Sequence, residues 1–170
     1  MEGNKMKILG YGKEQLAWIG VRLVLGWIFL WAFLDKLFGL GYSTTSARAW
    51  LNGGSPTSGY LTNTKGVFSG LFQGLSGNGG IDAIFMIALV AIGVALILGI
   101  GMKIAGYSGM VLMFLMWLSA VPASTNPIVD DHVVYFFLFL GMTIVKAGQW
   151  LGLGKWWITT PLVKKYPILE

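Results

Sequence analysis

The chain has no cysteine and a single histidine, His132, among its 170 residues. The first absence removes thiolate nucleophiles, disulfides, iron–sulfur clusters and cysteine-ligated zinc. The second removes a bis-histidine haem or a multi-histidine metal centre from one copy of the chain. Charge is scarce too: Asp, Glu, Lys and Arg make up 11% of the residues, against about a quarter in ordinary soluble domains. Phosphate-binding loops, dinucleotide fingerprints, HExxH pairs, nucleophile elbows and calcium loops are all missing. No metal, haem or flavin site is evident, so any cofactor is held non-covalently.

What is abundant is apolar surface, at 55% hydrophobic residues and a mean hydropathy of +0.70. At about 20 residues per membrane crossing, this length allows a handful of helices in one integral membrane domain, residues 1–170. LAWIGVRLVLGWIFLWAFL, from Leu16 to Leu34, carries one charge and predicts a retained helix over about 15–38. Ala83 to Met102 is uncharged between Asp82 and Lys103, whose signs suit a helix dipole, and predicts a second helix over 82–102. A third runs over 104–121, ended by Pro122, Asn126 and Pro127. A fourth, over 130–151, opens on Asp130 and Asp131. The expected architecture is all-α, a four-helix antiparallel transmembrane bundle. Glycines at 93, 99, 101, 106 and 109 would let the second and third helices approach closely.

The net charge of +5 comes from lysines that flank apolar runs and form no single basic patch, which argues against a nucleic acid partner. Lys5, Lys7, Lys13, Lys103, Lys155, Lys164 and Lys165 fall on one side, and Lys36, Arg48 and Lys65 on the other. That bias predicts a multi-pass cell membrane protein with both termini cytoplasmic. The long first loop, 39–80, is then extracytoplasmic. It carries Trp50, Tyr60, Phe68, Leu71 and Phe72, and the spacing in VFSGLFQGL is helical, so a lid or half-buried helical hairpin is as good a reading as a loop with a few anchors.

Few residues can carry chemistry. Arg22 either snorkels to the headgroups or faces the interior as a fixed charge for an anion or a quinone oxygen. Asp35 and Lys36 close the first helix while Asp130, Asp131 and His132 open the fourth; where those ends adjoin, Asp35, Asp131 and His132 form a proton-exchange cluster, and otherwise they are caps among headgroups. Asp131 and Tyr135, four apart, share a face. Trp27 and Trp31 align with Asp35 on the first helix, and Trp117 lies in the outer half of the third. With Trp50 these are either an aromatic pocket for a flat quinone or ordinary packing. Trp18, Trp150, Trp156 and Trp157 read as interfacial anchors.

Several strings resemble one family: RLVLGWIFLWAFLDKLFG, AWLNGGSPTSGYL, GLFQGL, ALILGIGMKIAGYSG, NPIVDDHVVY and LGLGKWW. Together, from about Trp18 to Trp157, they resemble the DoxX/DoxD family of small four-helix membrane proteins. The most specific parts are Arg22 with Asp35 and Lys36, the AWLNGGSPTSGYL loop and the approach to His132. The resemblance implies a quinone-interacting membrane subunit of a thiosulfate:quinone oxidoreductase-like system, working with a separate DoxA-type or other sulfur-transfer or redox protein. Quinone is the implied cofactor. A chain without thiol or cluster would pass electrons directly to it, and a dianion such as thiosulfate would be drawn by Lys36, Arg48 or Lys65. Two other classes fit the composition: a non-catalytic scaffold recruiting a redox or sulfur-transfer enzyme, and a carrier for a small anion or lipid. A homodimer in the bilayer is reasonable for so small a bundle.

Overall fold

The computed structural model describes residues 10–123 and 126–170. Lys5 and Lys7, counted in the charge bias, lie outside the described residues. The chain is all-helical, with no strand among those residues. Four helices dominate: α1 (Lys13–Phe38), α4 (Gly79–Leu98), α5 (Met102–Ala120) and α6 (Asp131–Ile144). Two short ones, α2 (Ser58–Leu61) and α3 (Ser69–Gln73), lie in the first loop, and α7 (Gly154–Trp157) and α8 (Pro161–Lys165) follow α6. By length and composition α1, α4 and α5 are apolar enough to cross a membrane. Helix α6 is equally apolar but spans only about 21 Å.

Local chemistry sets the ends. Asn78 Oδ1 accepts the Gly80 and Ile81 N–H groups at 2.9 and 3.2 Å and starts α4 before the expected residue 82. Gly99, left-handed at φ 74°, ends α4 at Leu98, short of the expected 102. Lys103 therefore lies in the first turn of α5 and is no C-terminal charge for α4. Helix α6 stops at Ile144 and not 151, because Lys146 turns left-handed at φ 53°. The backbone beyond it is taken by a different donor, Arg22.

Helices α1 and α4 run antiparallel, with Gly26 against Leu96 and Gly93 against Leu30. A Cβ on Gly93 would lie 2.8 Å from the Leu30 nitrogen, so only glycine allows this approach. Likewise α5 packs antiparallel on α6, where Gly109 leaves room for the Phe139 ring and Gly106 for Thr143. Of the glycines expected to join the second and third helices, Gly93 faces α1 and Gly106 and Gly109 face α6, while Gly101 meets nothing within 4 Å. Phe29 and Phe139 meet edge to face at 5.4 Å in a core that also holds Met86, Leu96 and Met142, all fully buried. Unbranched methionines fill the irregular space between these helices. The opposite faces are apolar and open: Val24, Ile84, Ile87, Val111 and Phe137 are all more than half exposed. An apolar exterior around a packed interior is what a bilayer solvates.

Candidate functional site

Two buried carboxylates shape the distal end, where α1 finishes and α4 starts. Asp35, 1% exposed, accepts the Ser43 N–H at 2.9 Å, the Ser43 hydroxyl at 2.6 Å and the Tyr42 N–H at 3.2 Å. Asp82 accepts the Ser55 hydroxyl at 2.9 Å, the Thr57 N–H at 3.1 Å and the Thr57 hydroxyl at 2.5 Å. The first loop is thus latched at both shoulders, and its middle folds back over α4 and α5. There Leu61 and Phe72 are buried, and the Val67 N–H donates to the Val121 carbonyl at 2.9 Å.

Beneath this roof lies a pocket of about 290 Å³, at the lower end of the usual range for small-molecule sites. Its walls are two helical stripes, Ile81, Ile84, Phe85 and Ala88 on α4 and Leu112, Leu115, Met116 and Ser119 on α5. Both follow the i, i+3, i+4, i+7 spacing of a single helix face. Leu61 and Phe72 close it from above, and its polar groups are few: Lys36, Thr57, Tyr60 and Ser119. Lys36 has no carboxylate within ion-pair distance among the described residues. Ser119, fully buried, donates to the Met116 carbonyl at 2.6 Å and so can accept from the Tyr60 hydroxyl, 2.7 Å away.

Two further hollows adjoin. An apolar groove of about 720 Å³ runs between α4 and α5 towards the opposite end and shares Ile84 and Ala88 with the pocket. A more polar hollow of about 390 Å³, lined by Asn63, Thr64 and Lys65, shares Tyr60 and Ser119. The three form a series from the distal surface to the apolar flank.

Of the residues singled out from sequence, only Lys36 lines the pocket. Trp27 is 53% exposed and stacks on Trp31 at 5.7 Å, which meets Tyr42 edge on at 5.1 Å. Trp117 donates from Nε1 to the Ile128 carbonyl at 2.9 Å. Trp50 and Tyr135 pack, half-buried, against the core. No hydrogen bond or ion pair among the described residues joins Asp35 to Asp130, Asp131 or His132. Asp35 instead latches the loop. Sequence reasoning passed over Thr57, Ser119 and the pocket role of Tyr60, although the stripe ending at Ser119 was a visible signal.

At the mouth of α6, Asp130 is the capping residue. Its Oδ1 accepts the His132 and Val133 N–H groups at 3.0 and 3.3 Å, and Oδ2 lies 2.7 Å from His132 Nδ1. Burial raises the Asp130 carboxyl pKa, but the bond to His132, the imidazole charge and the two N–H groups outweigh it and hold it below its ordinary value. Asp131 is exposed. Asp130→Ala is therefore expected to destabilise the folded protein by about 1 kcal/mol, as loss of a helix cap does, and Asp131→Ala by much less. Thermal unfolding of both variants in detergent checks the order; equal effects would remove the capping role.

The proximal end has its own constellation. Arg22 is fully buried; Nη1 donates to the Ala147 carbonyl at 3.2 Å, Nη2 donates to the Leu151 carbonyl, and Nε has no partner. The side chain therefore does not snorkel to solvent. Nearby, Glu170 bridges Lys103 at 2.9 Å and Lys146 at 2.7 Å and takes a further hydrogen bond from Gln149. The hydrogen bonds from Lys146 and Lys103 hold its carboxyl below the ordinary range. A group lowered on folding stabilises fully above its unfolded pKa and loses that contribution as pH falls through the folded one. Acidification through that window is expected to loosen the Pro167–Leu169 turn, seen as lower protection of the Leu169 and Glu170 N–H groups from hydrogen exchange, and Glu170→Gln should lose that protection already at neutral pH.

Among the described residues no three histidine, aspartate or glutamate side chains gather where a metal ion would sit. No family model, no curated protein and no solved structure matches this chain.

Proposed function

We propose that the chain is a membrane subunit that holds a quinone, with the head group in the distal pocket and the isoprenoid tail in the groove between α4 and α5. The observation that carries this is a pocket with apolar walls and one polar end, bordered at Ile84 and Ala88 by an apolar groove. A quinone has the same division: two carbonyl acceptors on a flat ring and a long hydrocarbon tail. Lys36 supplies a donor for one of those carbonyls, and Phe85 and Phe72 supply flat apolar walls. The aromatic pair Trp27 and Trp31 stands outside this cavity.

In this reading α6 is a fourth, shorter crossing, the chain is an antiparallel four-helix bundle with both ends cytoplasmic, and the 39–80 loop is its extracytoplasmic lid. The DoxX/DoxD resemblance extends the reading to thiosulfate:quinone oxidoreductase-like chemistry. Two thiosulfates joined as tetrathionate release two electrons, and the quinone takes these with two protons to become quinol. A DoxA-type or other sulfur-transfer partner would complete the donor side.

The test is photolabelling of the purified chain in lipid nanodiscs with an azido-benzoquinone bearing a short prenyl tail. Label in Ile81–Ala88 or Leu112–Ser119 that excess unlabelled quinone removes is the expected result. Label confined to Trp27 and Trp31, or label that no quinone competes, overturns the site. Thiosulfate-dependent reduction of a short-chain quinone by the same sample, against a heat-denatured control, tests the donor.

A further inference from the structure

The quinone reading needs only the pocket and the groove, and the third hollow is left without a use. It lies on the distal surface, carries Asn63 and Lys65, and touches the pocket only through Tyr60 and Ser119. We propose that this hollow is a water-side port into the membrane pocket, admitting water and small hydrophilic reactants, and that the Tyr60–Ser119 hydrogen bond is its gate. The proposal stands on the wall that the two hollows share at Tyr60 and Ser119 and not on the identity of the pocket's occupant.

The two sides of the gate differ in how they are anchored. Ser119 belongs to the last turn of α5, is fully buried and is fixed by its bond to the Met116 carbonyl. Tyr60 belongs to the four-residue helix α2 in the loop and is 40% exposed. A short helix has too few internal hydrogen bonds to hold itself, so its position depends on its contacts. Those that pin Tyr60 are the hydroxyl contacts with Ser119 at 2.7 Å and with the Met116 carbonyl at 3.3 Å. Rotation of this one ring joins the polar hollow to the pocket, leaving the Asp35 and Asp82 latches undisturbed. Lys65 outside and Lys36 inside give the path a positive charge at both ends, which favours anionic over cationic solutes.

The lack of cysteine makes the test free of background. Leu112→Cys places one thiol in the pocket, and Val111→Cys places one on the exposed apolar face of the same helix. Each is made in the native chain and with Tyr60→Phe or Tyr60→Ala, reconstituted in sealed vesicles with the distal face outward. The rate of reaction with a membrane-impermeant, sulfonate-bearing methanethiosulfonate is then measured. The Leu112→Cys rate is expected to rise about fivefold with Tyr60→Phe, the loss of one hydrogen bond, and by more with Tyr60→Ala. Val111→Cys should stay at background in every case. A Leu112→Cys rate that is the same in all three overturns the port. A fast Tyr60→Ala beside an unchanged Tyr60→Phe overturns the hydrogen-bond gate, and a parallel rise at Val111→Cys overturns both, since it reports general loosening.

Discussion

Arg22→Met is expected to destabilise the folded protein by about 4 kcal/mol, the sum of two hydrogen bonds from a charged donor and the desolvation cost of the carbonyls left behind. The physical case is the burial. The guanidinium is fully enclosed, and its two outer nitrogens serve the carbonyls of Ala147 and Leu151, where the chain has left the helical path of α6. The Leu151 carbonyl takes no backbone donor among the described residues and the Ala147 carbonyl takes only the Trp150 N–H at 3.2 Å, so Arg22 does for this end much of what a C-cap does elsewhere. The space around it is equally committed: a Cβ on Gly152 would lie 3.4 Å from Nη2, and one on Gly99 would meet Nη1 and sit 2.7 Å from the Gly148 carbonyl. Arg22→Lys keeps the charge but not the fork, and should recover only part of the loss. Thermal unfolding in detergent gives the order, native above Lys above Met. If Arg22→Met unfolds within about 1 kcal/mol of native, an ordinary surface effect, the clamp is wrong. Arg22 is also 14 positions before Lys36 on one straight helix, about 21 Å along its axis. Arg22→Lys should therefore leave the quinone binding proposed for the distal pocket unchanged.

The helices were legible because their signal is long. Nineteen residues with a single charge before Asp35 and twenty with none before Lys103 leave little else for the backbone to do in a bilayer. The ends were less legible: Asn78, Gly99 and Lys146 decide them, and each acts through a single cap or one left-handed residue. Glycine spacing suggested close packing at 93, 106 and 109, but a glycine does not name its partner. Gly93 opens α4 towards α1, and Gly106 and Gly109 open α5 towards α6, so the seams lie outside the hairpin that the short connection implied. The site was hidden for a different reason. Its helix stripes, at 81, 84, 85, 88 and at 112, 115, 116, 119, contain ordinary core residues, and what makes them a pocket is a roof from residues 56–75 rich in Ser, Thr and Gly. The fold of that roof depends on Asp35 and Asp82, which as a sequence look like helix ends among headgroups. Trp27 and Trp31, conspicuous by size, point to the exposed flank.

Asp35→Ala is expected to cost about 3 kcal/mol, for two backbone N–H groups and one hydroxyl that lose a charged acceptor. If the pocket holds the proposed quinone, it should also lower quinone affinity without Asp35 touching the ligand, because the released loop carries Thr57 and Tyr60. Loop and pocket are one unit here: Asp35 fixes residues 42 and 43, Asp82 fixes 55 to 57, and the segment beyond forms the roof. The alternative role for Asp35, proton transfer to a bound quinone, makes a different prediction for Asp35→Asn. Asparagine keeps one acceptor oxygen and the volume, so as a latch it should lose about half of that contribution and a matching part of the turnover. As a proton donor it should lose nearly all turnover at unchanged stability. The carboxylate is already bonded to Ser43 and Tyr42, and it lines none of the three hollows. That favours the latch, and Ser43→Ala separates it further: removing a hydroxyl that no quinone would touch should lower stability and affinity together, by about 1 kcal/mol in unfolding. Unfolding midpoints and quinone reduction rates of the three variants, plotted against each other, should fall on one line. A point for Asp35→Asn far below that line would return Asp35 to the chemistry.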